Sequence, residues 1–406
     1  MIFSLILLIH SVTASFQGGA VMPDGKVDKV ISDDDQATGD WHVPVWGVDV
    51  NVDFAPDWKA LQQWNNATVG VGLSYWNMGH EKLGHAIAPY IYMNVPLVRL
   101  PHFELGLKPG LGAAFMTKTY RNTVLEENMF VTLAGANSCI GSVANLYFPE
   151  EFYMNFPLAK GWSISLSGGW YHISNGSIRQ PNSGYNIFGG KLGVCKVIEA
   201  QGAVDYCAED HHMGLKITSS EEAKKWSVAV VGTMGGRQVY YRDQQAFLIG
   251  SMHAAAYWHA HPIFRLGGGV DVFYDGAYVQ RETDFGKTNL ALAQAGDCWR
   301  VGVSVQPEFV VGNFTLGLHI GAYMYDPVKE MEPQWHEDGL PKERLKKPIF
   351  YAYDLLNAGS AGHPDGWLYT EVVLRYHLPW HVFVQAMMKS HLTKVEFVSI
   401  GVGFYY

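Results

Sequence analysis

From about residue 67 onward the chain alternates, position by position, between apolar residues and small or polar ones. Successive side chains of a strand point to opposite faces, so a period of two predicts strands with one greasy and one polar side. The stretch 160–174 shows it plainly. Trp162, Ile164, Leu166, Gly168, Trp170, His172 and Ser174 share one face, and Ser163, Ser165, Ser167, Gly169, Tyr171 and Ile173 share the other. At the end of the chain, Val398, Ile400, Val402, Phe404 and Tyr406 alternate with Ser399, Gly401, Gly403 and Tyr405. The same reading predicts strands near 67–76, 85–97, 102–118, 138–156, 160–174, 185–197, 225–236, 244–259, 263–275, 298–311, 315–325, 367–377, 380–390 and 395–406. Most are longer than strands of ordinary soluble sheets, whose commonest length is about 5–6 residues.

The connections sort by length. Val98–Pro101, Pro157–Ala159, His261–Pro262, Gly312–Phe314 and Leu378–Pro379 are short, whereas 119–137, 175–184, 276–297 and 326–366 are long. Outer-membrane barrels carry tight turns on the periplasmic side and long loops outside. A large soluble β-protein has no reason to sort its loops this way. The expected fold is therefore all-β: a transmembrane antiparallel β-barrel of 12–14 strands, with fourteen preferred, spanning 67–406. The connection 198–224 stands apart, being long yet on the periplasmic side of the count.

Composition fits a barrel. Hydrophobic residues make up 48% of the 406, aromatics 14% and charged residues 17%, and there are 44 glycines. No apolar run approaches the ~20 residues of a transmembrane helix. The net charge of -9 argues against a nucleic-acid partner. Residues 1–14 form a short apolar run ending in Val12-Thr13-Ala14 and are expected to be a secretory signal. Residues 15–66 are expected to be a polar tail, within which the alternating stretch Val43–Asp53 forms an extra strand or a docked segment. Cys195 and Cys207 either close a disulfide loop or remain thiols; no CxxC motif occurs.

The chemistry concentrates where strand 160–174 ends. His172 and Ser174 are two residues apart, which puts an imidazole beside a hydroxyl on one strand face, as activation of a serine nucleophile requires. Lys191 belongs to the lumen in the next strand, so Asn186 shares the lipid-facing side with Phe188 and Leu192. A hairpin centred near residue 179 sets Asn186 across from His172. The expected triad is Ser174 as nucleophile, His172 as base and Asn186 as orienter of the ring, with Asn175 and Gly176 as the nearest oxyanion donors. Trp170 is expected in the interfacial aromatic girdle. A base and nucleophile on a greasy wall point to an ester hydrolase with a lipid substrate.

The segment His172-Ile-Ser-Asn-Gly-Ser-Ile-Arg-Gln-Pro-Asn-Ser-Gly184 resembles the active-site segment of the lipid A 3-O-deacylases, outer-membrane barrels that remove an acyl chain from lipid A. Leu83–Tyr90 and Gly267–Asp275 resemble the longer acyloxyacyl hydrolases. The deacylases are eight-stranded and carry a glutamate fourteen residues after the histidine, where this chain has Asn186. The His-Ser-Asn set is similar to that of outer-membrane phospholipase A, which binds calcium. Ser177 stands where that family places an arginine, so calcium is not carried over, and no cofactor or metal is expected. The resemblance implies a serine esterase acting on lipid A, or lipopolysaccharide, at the outer leaflet. A phospholipid substrate, or a non-enzymatic porin, is the alternative. His259 and His261 share a strand face and are read as interfacial side chains rather than a metal pair. The charged stretch Lys329–Lys347 is read as a solvated loop, with contact to the phosphates of lipopolysaccharide as the alternative.

Overall fold

The computed structural model describes residues 9–22, 27, 30–31, 43–123, 136–198, 212–213, 225–238, 245–277, 298–326, 368–391 and 394–406. Its contacts divide the chain into two units, one of residues 1–175 and 181–218, the other of 176–180 and 219–406.

The first unit is a closed antiparallel barrel of eight strands: β1 (Ile9–Val21), β2 (Val43–Phe54), β3 (Thr68–Asn77), β4 (His85–Leu100), β5 (Phe103–Met116), β6 (Ala144–Pro157), β7 (Trp162–Ser174) and β8 (Tyr185–Val197). Each strand pairs with its sequence neighbour, and β1 closes on β8 from Ser11↔Val197 to Val21↔Ile187. A two-residue strand, β9 (His212–Met213), adds to β4 at Val98–Arg99. The second unit is another closed eight-stranded barrel: β10 (Trp226–Arg237), β11 (Phe247–His261), β12 (Phe264–Asp275), β13 (Trp299–Val311), β14 (Phe314–Tyr325), β15 (Leu368–His377), β16 (Val382–His391) and β17 (Lys394–Tyr405).

The strand count and the reading of the first residues change. The all-β antiparallel barrel class holds, but fourteen strands in one barrel become sixteen in two. The added pair is β1 and β2, in the region expected to be signal and tail. Ile9–Val21 alternates Ser11, Thr13 and Gln17 inward with Phe16 outward, so it is built as a strand, and cleavage after Ala14 would remove its first half. Val43–Phe54 is a full strand, with Asp49, Asn51 and Asp53 buried and Trp46, Val48 and Val50 exposed. The anomalous connection after 198 leads from the last strand of one barrel toward the first of the next, which accounts for its length.

Both barrels turn apolar side chains outward. Leu73, Ile91, Phe152, Phe188 and Leu192 on the first are about half exposed, as are Val228, Met252, Val270, Val305 and Ile320 on the second. On the second barrel exposed aromatics stand near both strand ends: Trp226, Trp258 and Phe314 beside the short turns, Trp299 and Tyr325 beside the long connections. An apolar band between aromatic girdles is the pattern expected on the outer surface of a membrane barrel. The interiors bury many polar and charged side chains beside apolar and aromatic ones. In the first, Lys191 is buried between Asp49 at 3.0 Å and Glu151 at 2.7 Å, and Ser167 donates to Glu151 at 2.6 Å. Lys191 thus points inward as expected, which fixes the opposite side of β8, with Asn186, as the outward one. An eight-stranded barrel has an interior that side chains can fill, unlike the wide lumen a fourteen-stranded porin would enclose.

Candidate active site

The β7–β8 hairpin builds the site. Its register pairs His172 with Asn186 and Trp170 with Phe188, and the loop between the strands, 175–184, returns the chain at that spacing. Across the other ladder Phe148 pairs with His172 and Leu146 with Ser174. Three of the five expected site residues converge in a line. His172 Nε2 lies 2.8 Å from Ser174 Oγ, and His172 Nδ1 lies 2.8 Å from Asn186 Oδ1.

A fourth residue decides what this line can do. The indole Nε1–H of Trp170 donates to Asn186 Oδ1 at 3.1 Å. An indole nitrogen can only donate, so the amide atom facing it must be oxygen. That same oxygen faces His172 Nδ1, so Nδ1 must carry the proton of a neutral ring. Nε2 is then left with its lone pair toward Ser174, where it accepts the hydroxyl hydrogen. An amide turned the other way would offer its NH₂ to the ring and impose the wrong tautomer, which in serine proteases costs about 10⁴ in kcat. Trp170, expected only as a girdle residue, also orients the Asn186 amide. Register carries the signal: Trp170 and Asn186 are diagonal cross-strand neighbours on one face, within reach of a long side chain.

The imidazole is held on its faces as well. Trp170 stacks on it with centroids 5.2 Å apart and planes at 30°, and Phe148 lies at 6.2 Å. The outward wall lower on the hairpin is open, but the dyad itself is covered, with Ser174 only 1% and His172 8% exposed. Gly184 is part of that cover. Its φ is +75°, and a Cβ there would lie 2.9 Å from Ile173 O, 3.1 Å from Ser174 Cβ and 3.2 Å from His172 Cε1. The close approach of this backbone to the dyad requires glycine.

The expected oxyanion donors are placed differently from the triad. The backbone N–H of Asn175 donates to Asn182 Oδ1 at 2.9 Å, and its side-chain Nδ2 donates to Ser142 Oγ at 2.8 Å. Asn175 thereby ties the turn to two other segments: Asn182 bridges to Ile140, and Ser142 in turn contacts Asn145. Gly176 follows with φ +63° and groups with the second unit.

Among the described residues, the other sequence candidates meet ordinary partners. His259 Nε2 meets Ser227 Oγ at 2.8 Å, while His261 Nδ1 accepts from Ile263 N at 3.3 Å across a register shift, so the two imidazoles serve separate partners. Cys195 is a buried thiol; Cys207 and the stretch Lys329–Lys347 lie outside the described residues.

Two family models match the chain. "Lipid A 3-O-deacylase (PagL)" matches residues 46–194, from β2 to β8 and including the whole triad. "Acyloxyacyl hydrolase, C-terminal domain" matches residues 225–355, beginning at β10. No curated protein matches. Among solved structures, mutant forms of the Rhodopseudomonas blastica porin are similar over 97% of this chain and 99% of theirs. Their identity is 10–11% and the TM-score 0.18–0.19, a likeness too slight to carry an argument.

Proposed function

The chain belongs to the lipid A 3-O-deacylase and acyloxyacyl hydrolase family of ester-hydrolysing enzymes, and from that premise we propose that it is an outer-membrane serine esterase that removes an ester-linked acyl chain from lipid A. The observation that carries this reading is the Trp170–Asn186–His172–Ser174 relay, whose hydrogen bonds leave Nε2 as a base against the serine hydroxyl.

In the proposed reaction Ser174 Oγ attacks the acyl carbonyl while its proton passes to His172 Nε2. The imidazolium keeps its Nδ1–H bond to Asn186 Oδ1. The tetrahedral intermediate collapses, the sugar oxygen leaves with the proton from Nε2, and the acyl group stays on Ser174. Water then attacks the acyl-enzyme with His172 as base, which frees the fatty acid and restores the serine. An amide cannot neutralise the imidazolium as a carboxylate does, so orientation is Asn186's contribution. The oxyanion falls to donors at Asn175 and Gly176. For Asn175 this means release of its backbone N–H from Asn182.

The exposed apolar walls and flanking aromatics support a membrane setting. The hairpin loop 175–184 belongs to the end with long connections, which supports a site at the outer leaflet. The substrate is thus lipopolysaccharide, met in the plane of the membrane.

The test is fatty-acid release by detergent-purified protein from lipopolysaccharide and, separately, from phospholipid vesicles, each with and without chelator. Release from lipopolysaccharide that survives chelator and disappears in Ser174→Ala supports the reading. Calcium-dependent release from phospholipid alone would replace it with a phospholipase. Large single-channel conductance without release from either would leave a porin.

A further inference from the structure

The interior of the second barrel holds a group of side chains that the esterase reading does not use. Ser251 and His253 are two apart on β11, Asp271 lies across on β12, and Glu371 comes from β15; all four are buried. His253 Nε2 is 2.7 Å from Ser251 Oγ, and His253 Nδ1 is 2.9 Å from Asp271 Oδ1. This mimics a second serine triad, but it faces the barrel interior rather than the outer wall, and its hydrogens run the wrong way. Thr233 donates to Ser399 at 2.8 Å, so the 2.6 Å contact between Thr233 and Ser251 must use the hydrogen of Ser251. With its only hydrogen spent, Ser251 can do no more than accept from His253 Nε2. Nε2 is therefore the protonated nitrogen.

Nδ1 of a neutral ring then turns a lone pair toward Asp271 Oδ1 at 2.9 Å and Glu371 Oε1 at 3.9 Å. Oε1 of Glu371 is buried without a hydrogen-bond partner. The far oxygens of the two carboxylates are already held: Tyr369 donates to Asp271 Oδ2 at 2.5 Å, and His319 meets Glu371 Oε2 at 3.3 Å. Three lone-pair donors thus converge, each fixed from behind, and all three ligand atoms lie within 4.8 Å of one another. Of the nearby basic groups, Arg375 pairs with Glu308 at 2.5 Å, Lys389 with Glu396, and His319 stands between Glu308 at 3.0 Å and Glu371 Oε2 at 3.3 Å. Two carboxylates opposing an unprotonated nitrogen call for a positive charge between them, either a proton on Nδ1 or a metal ion.

We propose that His253 Nδ1, Asp271 Oδ1 and Glu371 Oε1 bind one divalent transition ion of the zinc class. One imidazole and two carboxylates, with positions left for water, suit such an ion; at ligand bonds of about 2.0–2.2 Å the donors stand roughly 3.4 Å apart, so the His253–Asp271 contact opens and Glu371 closes in. The Ser251 contact on Nε2 and the Tyr369 contact on Asp271 are the outer hydrogen bonds that orient metal ligands. The site is independent of the esterase, so its failure leaves that reading untouched.

The experiment uses the full chain, without an affinity tag, refolded in detergent and stripped with chelator. Co²⁺ is the probe. The expected result is about one equivalent bound, with visible d–d absorption that Zn²⁺ displaces, and at least a tenfold loss of affinity in both Asp271→Asn and Glu371→Gln. Glu371→Gln keeps the shape of the site and guards against a misfolded Asp271→Asn, with the heat-modifiable gel shift of the barrel as the folding check. Absence of Co²⁺ absorption in the wild type overturns the proposal in favour of a proton on Nδ1. So does undiminished binding in folded Glu371→Gln.

Discussion

Trp170 Nε1 donates to Asn186 Oδ1 at 3.1 Å, and that single bond fixes the tautomer of His172. Trp170→Phe keeps an aromatic ring to stack on the imidazole but frees the amide to turn. The expected outcome is a fall in kcat of roughly tenfold, part of the 10²–10⁴ that a positioned base contributes. Adding Asn186→Asp to Trp170→Phe should restore most of the loss, because a carboxylate presents an oxygen whichever way it turns. Steady-state hydrolysis of lipopolysaccharide by the single and double variants checks this.

Asn186 itself separates orientation from charge. Asn186→Leu leaves His172 Nδ1 without an acceptor and should lower kcat by about 10²–10³, within the range expected for loss of a positioned base. Asn186→Asp keeps the acceptor and adds a charge opposite the imidazolium, so its kcat should equal or exceed that of the wild type. Both variants should leave KM within a few-fold, since neither substitution touches the acyl chain.

Gly184 brings loop backbone against the dyad at φ +75°. Gly184→Ala places a methyl within 3.2 Å of His172 Cε1 and 3.1 Å of Ser174 Cβ. The loop must withdraw, and a shift of about 1 Å at a catalytic pair can cost 10²-fold in rate. Activity should therefore drop steeply while the barrel still shows its heat-modifiable gel shift.

Inside the same barrel, Lys191 is buried between Asp49 and Glu151. Lys191→Met strands two buried carboxylates and should destabilise the barrel by about 3–5 kcal/mol. Urea unfolding in detergent measures this. Combining Lys191→Met with Asp49→Asn and Glu151→Gln should recover much of the loss.

The alignment of Ser174, His172 and Asn186 was legible in the sequence because a strand has only two faces. Once Lys191 is assigned to the lumen, Asn186 must face outward, and a hairpin centred on residue 179 places it opposite His172, as the ladder does. Closure was not legible. Period-two alternation reports which way a side chain points, and it is the same in a barrel of eight as in one of fourteen. The pairings of β1 with β8 and of β10 with β17 decide the closure, and these join segments far apart in sequence. Ile9–Val21 was hidden for another reason: the apolar run just before it has the composition of a signal, while its own inward face of Ser11, Thr13 and Gln17 has that of a tail. The long connection after 198 on the short-turn side was the surviving trace of the division into two.

The central claim is that Ser174, activated by His172, cleaves an acyl ester of lipid A. Mass spectrometry of lipid A from the membranes of cells producing the wild type or Ser174→Ala tests it most directly. The account predicts a lipid A species lighter by one acyl chain with the wild type and none with the variant, at equal amounts of folded barrel. Identical lipid A profiles in the two, or loss of the chain in both, would contradict it.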